Sequence, residues 1–108
     1  MSVSAPDIAF AKELFDDLGD ITTRKMMGAL CLYASGTLFA VLHSDGKIYL
    51  KGAGDFIKTL ENLDCERWMY LRKDGKETFM PYWTLPDAAL DDPTLACELA
   101  RDALRHLT

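Results

Sequence analysis

The chain has 108 residues, 49% of them hydrophobic, with a formal net charge of −5. That is one globular domain's worth of sequence, able to bury a core without disulfide or metal staples. The charge is uneven: residues 1–20 hold one Lys against five acids, residues 84–108 two Arg against five, and the middle nine basic against seven acidic residues. An acidic chain without a basic stripe argues against direct nucleic-acid binding. No apolar run approaches the roughly 20 residues that span a bilayer, and Met1-Ser-Val-Ser-Ala-Pro-Asp7 lacks the basic and apolar segments of a signal peptide, so a cytoplasmic protein without a membrane partner is expected. Cys31, Cys65 and Cys97 are odd in number and far apart, which fits reduced, largely buried thiols.

Ala5 to Leu18 reads as a helix, with Pro6 in its first turn, Asp7 at its positive dipole end, Ile8, Ala11, Phe15 and Leu18 on one face, and Gly19 as its stop. Arg24 to Met27 is a candidate early strand. Leu30–Ala34 and Thr37–His43 are strands joined at Ser35-Gly36, and Lys47–Lys51 follows the hairpin signal Asp45-Gly46. Gly52-Ala-Gly54 breaks the pattern. Asp55 can then cap a short helix that turns Phe56, Ile57, Leu60 and Leu63 inward. Cys65–Lys73 and Lys76–Thr84 form a second hairpin around Asp74-Gly75. Pro81 has no N–H to donate, so its strand is expected at a sheet edge. Asp92 and Pro93 open a last helix, Thr94 to His106, carrying Leu95, Leu99, Ala103 and Leu107. The order helix, three or four strands, helix, two strands, helix predicts an α+β fold, a two-layer sandwich with an antiparallel sheet, occupying 1–108 as a single domain.

Three amphipathic helices cover one sheet face well and two faces poorly. Alternation in Lys47–Lys51 puts Ile48 and Leu50 on one side and Lys47, Tyr49 and Lys51 on the other, while Trp68, Tyr70 and Arg72 alternate together. Phe79, Pro81 and Trp83 form one alternating set of the next strand, and Met80 and Tyr82 the other. One sheet face is therefore expected to be aromatic and basic, a composition suited to a homodimer interface, a partner site or a ligand platform.

The chain carries no recognisable catalytic constellation. His43 and His106 lack metal-ligand spacing, so no metal or other cofactor is expected, and Ser44-Asp45-Gly46 reads as turn chemistry rather than as part of a Ser-His-Asp line. Gly52-Ala-Gly54 lacks the third glycine of a dinucleotide loop and the Gly-Lys-Ser/Thr ending of a phosphate loop. Asp16-Asp17 and Asp91-Asp92 look like solvated helix ends.

The run Arg24-Lys-Met-Met-Gly-Ala-Leu-Cys-Leu-Tyr-Ala-Ser-Gly36, then Leu38-Phe-Ala-Val-Leu42 and Asp45-Gly-Lys-Ile-Tyr-Leu-Lys51, resembles the core signature of the N-terminal domain of the TfoX competence regulators. The likeness continues through Gly75-Lys76, Met80-Pro-Tyr-Trp83, Pro86 and the alanine-rich last helix. Full-length regulators add a separate C-terminal domain, whereas this sequence ends after the last helix, so the resemblance implies a stand-alone form. It also implies a two-layer α+β fold and a non-enzymatic role in regulation, with transcription affected through protein contacts. Arg24, Tyr33, Lys51 and Tyr82 match polar positions of the family. Met27, Ala29 and Cys31 stand where it usually has Phe, Gly and Gly, and the last two add side chains where the motif has none.

The sequence thus predicts a homodimeric module with an unidentified regulatory protein partner, and Arg24, Tyr33, Tyr49, Lys51, Trp68 and Tyr82 as candidate contacts. The alternative is a sensor for a small anionic ligand held by Arg24, Lys51 and Tyr82.

Overall fold

The computed structural model describes residues 3–26 and 28–107. The chain runs through helix α1 (Ala5–Leu14), a 3-10 turn (Asp16–Leu18), strands β1 (Ile21–Met26), β2 (Ala29–Ala34), β3 (Thr37–Leu42) and β4 (Ile48–Lys51), and helix α2 (Phe56–Asn62). Strands β5 (Arg67–Leu71) and β6 (Glu77–Thr84) and helices α3 (Asp87–Leu90) and α4 (Pro93–Leu107) complete it. The six strands form one antiparallel sheet in the order β1-β2-β3-β4-β6-β5. This is the expected α+β fold, with four strands before α2 and two after it.

Local chemistry explains most of the boundaries. Ser4 caps α1, its Oγ accepting the Asp7 N–H at 3.3 Å. The expected single helix to Leu18 instead ends at Leu14, and the tighter 3-10 turn carries the chain to Gly19, whose φ of 68° suits glycine. Ala11 and Phe15 are nevertheless buried, so the predicted apolar face holds. The first strand begins earlier than Arg24, and Met27 lies outside the described residues. At the β3–β4 turn the Lys47 N–H donates to the Asp45 carboxylate at 2.9 Å, and the Gly46 N–H to the His43 carbonyl. Asp92 caps α4 by accepting the N–H groups of Thr94 and Leu95 at 3.1 and 3.2 Å, a contact that stabilises a helix by about 1 kcal/mol.

Three expectations need correction. Asp55 sits at the start of α2, but its backbone is helical and its side chain makes no capping bond. Phe56 and Leu60 of that helix are buried while Leu63 is exposed, because α2 ends at Asn62 and Leu63 has already left the helical face. The strand holding Pro81 is not at an edge: β6 lies between β4 and β5. Between the pairs Arg67–Trp83 and Met69–Phe79, β6 carries Met80, Pro81 and Tyr82 where β5 carries only Trp68. The missing donor of Pro81 therefore falls in a bulge, just past the last β4 pair at Lys51–Tyr82, and only its carbonyl is used, accepting the Gly52 N–H at 3.0 Å. Helix α3 has no counterpart among the predicted elements.

The main core lies between the helices and one sheet face. Phe15, Phe39, Leu32, Leu42, Leu50, Phe56, Leu60 and Trp83 fill it, with Phe15 and Phe39 meeting edge to face at 5.1 Å. Cys97 on α4 donates its thiol to the Leu14 carbonyl at 3.5 Å and so joins the two longest helices inside the core.

Gly52 is sterically committed. A Cβ there would stand 2.5 Å from Cζ3 of Trp83 and 3.2 Å from Cγ1 of Ile57. Gly52→Ala is expected to lower stability by about 1–3 kcal/mol through overpacking, measured as the urea midpoint at constant slope.

Candidate functional site

Directly opposed residues of an antiparallel pair share a sheet face, so the register sorts the side chains. Ile48, Leu50 and Trp83 belong to the helix-covered face. On the opposite face Ala29, Cys31, Val41, Tyr49 and Tyr82 form a second apolar cluster, with Tyr33, Leu38, Trp68 and Met80 packed against it. Arg24 is opposite Cys31 and Lys51 opposite Tyr82. All six candidate residues, Arg24, Tyr33, Tyr49, Lys51, Trp68 and Tyr82, thus project from the sheet face that carries no helices.

Their environments differ. Trp68 is the hub: its ring centre lies 5.4 Å from Tyr49, 5.8 Å from Tyr82 and 5.3 Å from His43. A residue of edge strand β5 reaches rings on β6 and β4 and the His43 ring just past β3 because the sheet curls toward this face. Tyr49 and Tyr82 are buried beneath it, so they form the floor rather than the contact surface. Tyr33 is half-buried, Lys51 is half-exposed, and Arg24 is exposed with no hydrogen-bond or ion-pair partner for its guanidinium among the described residues.

The curl leaves a groove of about 460 Å³, bounded by Met26 and Ala29 on one side, Trp68, Tyr70 and Met80 on the other, and Val41, His43 and Tyr82 between them. Of the six candidates only Trp68 and Tyr82 line it. Met26, Val41, His43 and Tyr70 were not among the predicted contacts, although Tyr70 alternates with Trp68 and His43 ends its strand on the same face as Val41. A larger cleft of about 660 Å³ lies elsewhere, among Asp45, Asp64, Glu66, Asp87 and the start of β4. Its lining mixes these carboxylates and a single cation, Lys47, with apolar side chains such as Leu63, Leu85 and Leu90. The aromatic groove, with no carboxylate in its lining, is the more apolar of the two concavities, as recognition sites commonly are.

Chemistry on the groove face is subdued. Burial raises the thiol pKa of Cys31 above its ordinary 9.0, partly opposed by the nearby Arg24. Burial likewise raises Tyr82, reinforced by Cys31 and Tyr33, and raises Tyr49, reinforced by Asp45 and Glu66. His43 Nδ1 stands 3.3 Å from the Asp45 carboxylate, within the same turn that Asp45 already closes through Lys47. Among the described residues no group of three or more His, Cys, Asp and Glu could hold a metal ion, and no helix is long and apolar enough to cross a membrane. His106, exposed near the end of α4, stacks its ring on Phe56 at 6.0 Å and has its Nδ1 2.9 Å from the Asp102 carbonyl.

Together these features define a small α+β domain whose antiparallel sheet is packed by helices on one side and opens an aromatic groove on the other. The chain belongs to the TfoX N-terminal domain family, whose model matches residues 13–107. It is similar to the DNA transformation protein TfoX1 of Aliivibrio fischeri (strain ATCC 700601 / ES114), with 25% identity over 89 residues. Those residues are 82% of this chain and 42% of that protein, so the chain spans less than half the length of this relative.

The tyrosine and thiol shifts fix the sign of an alkaline effect. Each raised pKa means that the fold prefers the neutral group, so the stability that Tyr49, Tyr82 and Cys31 contribute is complete below their unfolded values and is lost as pH climbs toward the higher folded ones. Urea midpoints are expected to fall from about pH 9 upward, and less steeply in Tyr82→Phe. In a thiol-labelling time course, half-exposed Cys65 is expected to react first, with Cys31 and Cys97 reacting only on unfolding.

Proposed function

We propose that this domain is a non-enzymatic regulatory module that acts through protein contacts made by the groove face of its sheet. One observation carries the reading: a curled sheet face paved with Tyr49, Tyr82 and Trp68 is left without a covering helix and presents an apolar groove. Aromatic and methionine side chains on a preformed concave surface supply large contact area at low ordering cost, which is what a protein interface needs. Family membership supports a regulatory setting. DNA transformation, the role in the relative's name, belongs to a protein more than twice as long as the matched segment, and its extension to this chain is part of the proposal. The reading includes a cytoplasmic homodimer, a further protein partner, and no direct contact with nucleic acid or membrane.

A second reading, a sensor for a small anionic ligand, is favoured by Arg24 and Lys51 on the same face, neither with an ion-pair partner among the described residues. Neither cation lines the groove, so such a ligand would bind at its margin. A thermal-shift screen of anionic metabolites separates the two readings. A specific ligand at 100 times its Kd adds roughly 2.7 kcal/mol of stability, and that gain is expected to vanish in Arg24→Ala.

Met26 tests the interaction reading because it lines the groove yet is 51% exposed. Met26→Glu is expected to change stability by less than about 0.5 kcal/mol and to abolish rescue of the transcript changes caused by deleting the gene. Full rescue by this variant, at wild-type abundance, would remove the groove from the regulatory role. Phe10→Glu, on the exposed side of α1, is the matched control expected to rescue.

A further inference from the structure

Strand β5 closes one edge of the sheet with few of the usual guards of an edge strand, which are lysines, prolines and charges along the strand: it has a single charge, Arg67 at its first position. Trp68-Met-Tyr-Leu71 is an unbroken apolar run, and Met69, Tyr70 and Leu71 are 40%, 44% and 66% exposed. The opposite edge, β1, carries Arg24 and Lys25. The free backbone of β5 is also aligned. The Arg72 N–H donates to the Lys76 carbonyl and the Glu66 carbonyl accepts from the Thr84 N–H, both at 2.8 Å, so even-numbered residues bond toward β6. By alternation Arg67, Met69 and Leu71 turn their N–H and C=O groups outward.

We propose that β5 pairs antiparallel with β5 of a second copy about a two-fold axis at Met69, a statement that rests on the interaction reading and gives it a specific interface. Charge selects the register. With Met69 opposite Met69 the whole strand overlaps, Trp68 faces Tyr70, Arg67 faces Leu71, and Glu66 faces Arg72 at both ends. Glu66 and Arg72 are exposed and have no ion-pair partner among the described residues. Moving the axis to Tyr70 sets Arg67 against Lys73 and Glu66 against Asp74, like charges directly opposed. Moving it to Trp68 loses both Glu66–Arg72 pairs and sets Glu66 against Tyr70.

The pairing has a structural consequence for the groove. Trp68 and Tyr70 are on the groove face, so Trp68 of one copy lies beside Tyr70 of the other, and the two grooves meet across the axis. Each copy contributes a ring to its neighbour's site. On the other face Arg67, held by its Nε–H to the Met80 carbonyl at 2.9 Å and stacked 4.6 Å from the Trp83 ring, offers its aliphatic stem to the second copy's Leu71.

Size-exclusion chromatography with light scattering, from about 1 µM to about 1 mM, reads the association, since a short edge gives a weak dimer. The wild type is expected to dimerise. Glu66→Arg or Arg72→Glu alone is expected to weaken the dimer roughly tenfold, and the double swap to restore it. Under a mild oxidant Met69→Cys is expected to crosslink beyond the wild-type level, because facing Cα atoms of a hydrogen-bonded pair lie about 5.5 Å apart, within disulfide reach, while Leu71→Cys is not. A monomer throughout, or a dimer indifferent to either reversal, overturns the pairing. Met26→Glu leaves the edge intact and is expected to dimerise normally. Failed association beside a functional defect in Met26→Glu sinks the edge pairing alone, and a normal dimer beside full rescue by that variant sinks the regulatory role of the groove alone.

Discussion

The contact on which this architecture depends is Trp83 against the bare backbone of Gly52. The indole is almost fully buried and its six-membered ring occupies the space that any other residue at position 52 would fill with a Cβ. Burying a side chain of this size is worth more than the roughly 2 kcal/mol typical of a single large apolar group, and here it falls where β4 ends, α2 begins and β6 crosses. Only three residue pairs hold β6 to β4. The indole therefore sets the angle at which the second hairpin meets the first four strands. Arg67 stacks on the same indole and binds the Met80 carbonyl at the bulge, so β5 is oriented by that indole as well.

That angle has a functional result. Because the second hairpin is turned toward the helix-free face, Trp68 comes within ring contact of His43, Tyr49 and Tyr82, and a flat surface becomes a groove. The sheet consequently has two unlike sides. One is a conventional core sealed by α1, α2 and α4. The other is a thin apolar layer, shielded by its own rings and edged by cations. The acidic charge of the chain resides mainly in the terminal segments, away from the groove, so like-charge repulsion between copies is smallest where the aromatic face is presented.

Much of this was legible in the residues. Asp45-Gly46 and Asp74-Gly75 marked turns by supplying a carboxylate for the following N–H and a residue tolerant of positive φ, and Asp92-Pro93 marked the start of α4. Period-two alternation put Tyr49 and Lys51 opposite Ile48 and Leu50. What alternation could not supply was the long-range pairing. Pro81 pointed to an edge because a proline cannot donate, and only the bulge opposite Trp68 shows how an interior strand accommodates it. Likewise Met26, on the first strand, and Tyr70, on the fifth, become neighbours across the groove only once β6 is inserted beside β4. Tyr49 matched the expected face but not the expected exposure, since no local pattern reveals that another ring will lie over it.

The narrow attachment of the second hairpin also bears on motion. A six-stranded sheet usually opens from its edges, and here the outer third is joined to the rest by a short ladder, the Trp83 indole in the core and the Trp68 and Tyr82 rings on the groove face, with its far end in water. Backbone opening of this kind is governed by the free energy of the local unit rather than of the whole domain. The stretch from Met69 to Phe79 lies outside both buried clusters, so its amides are expected to exchange through a local opening that leaves Trp83 and the helical core in place, and whatever docks on that edge would act first by suppressing the opening.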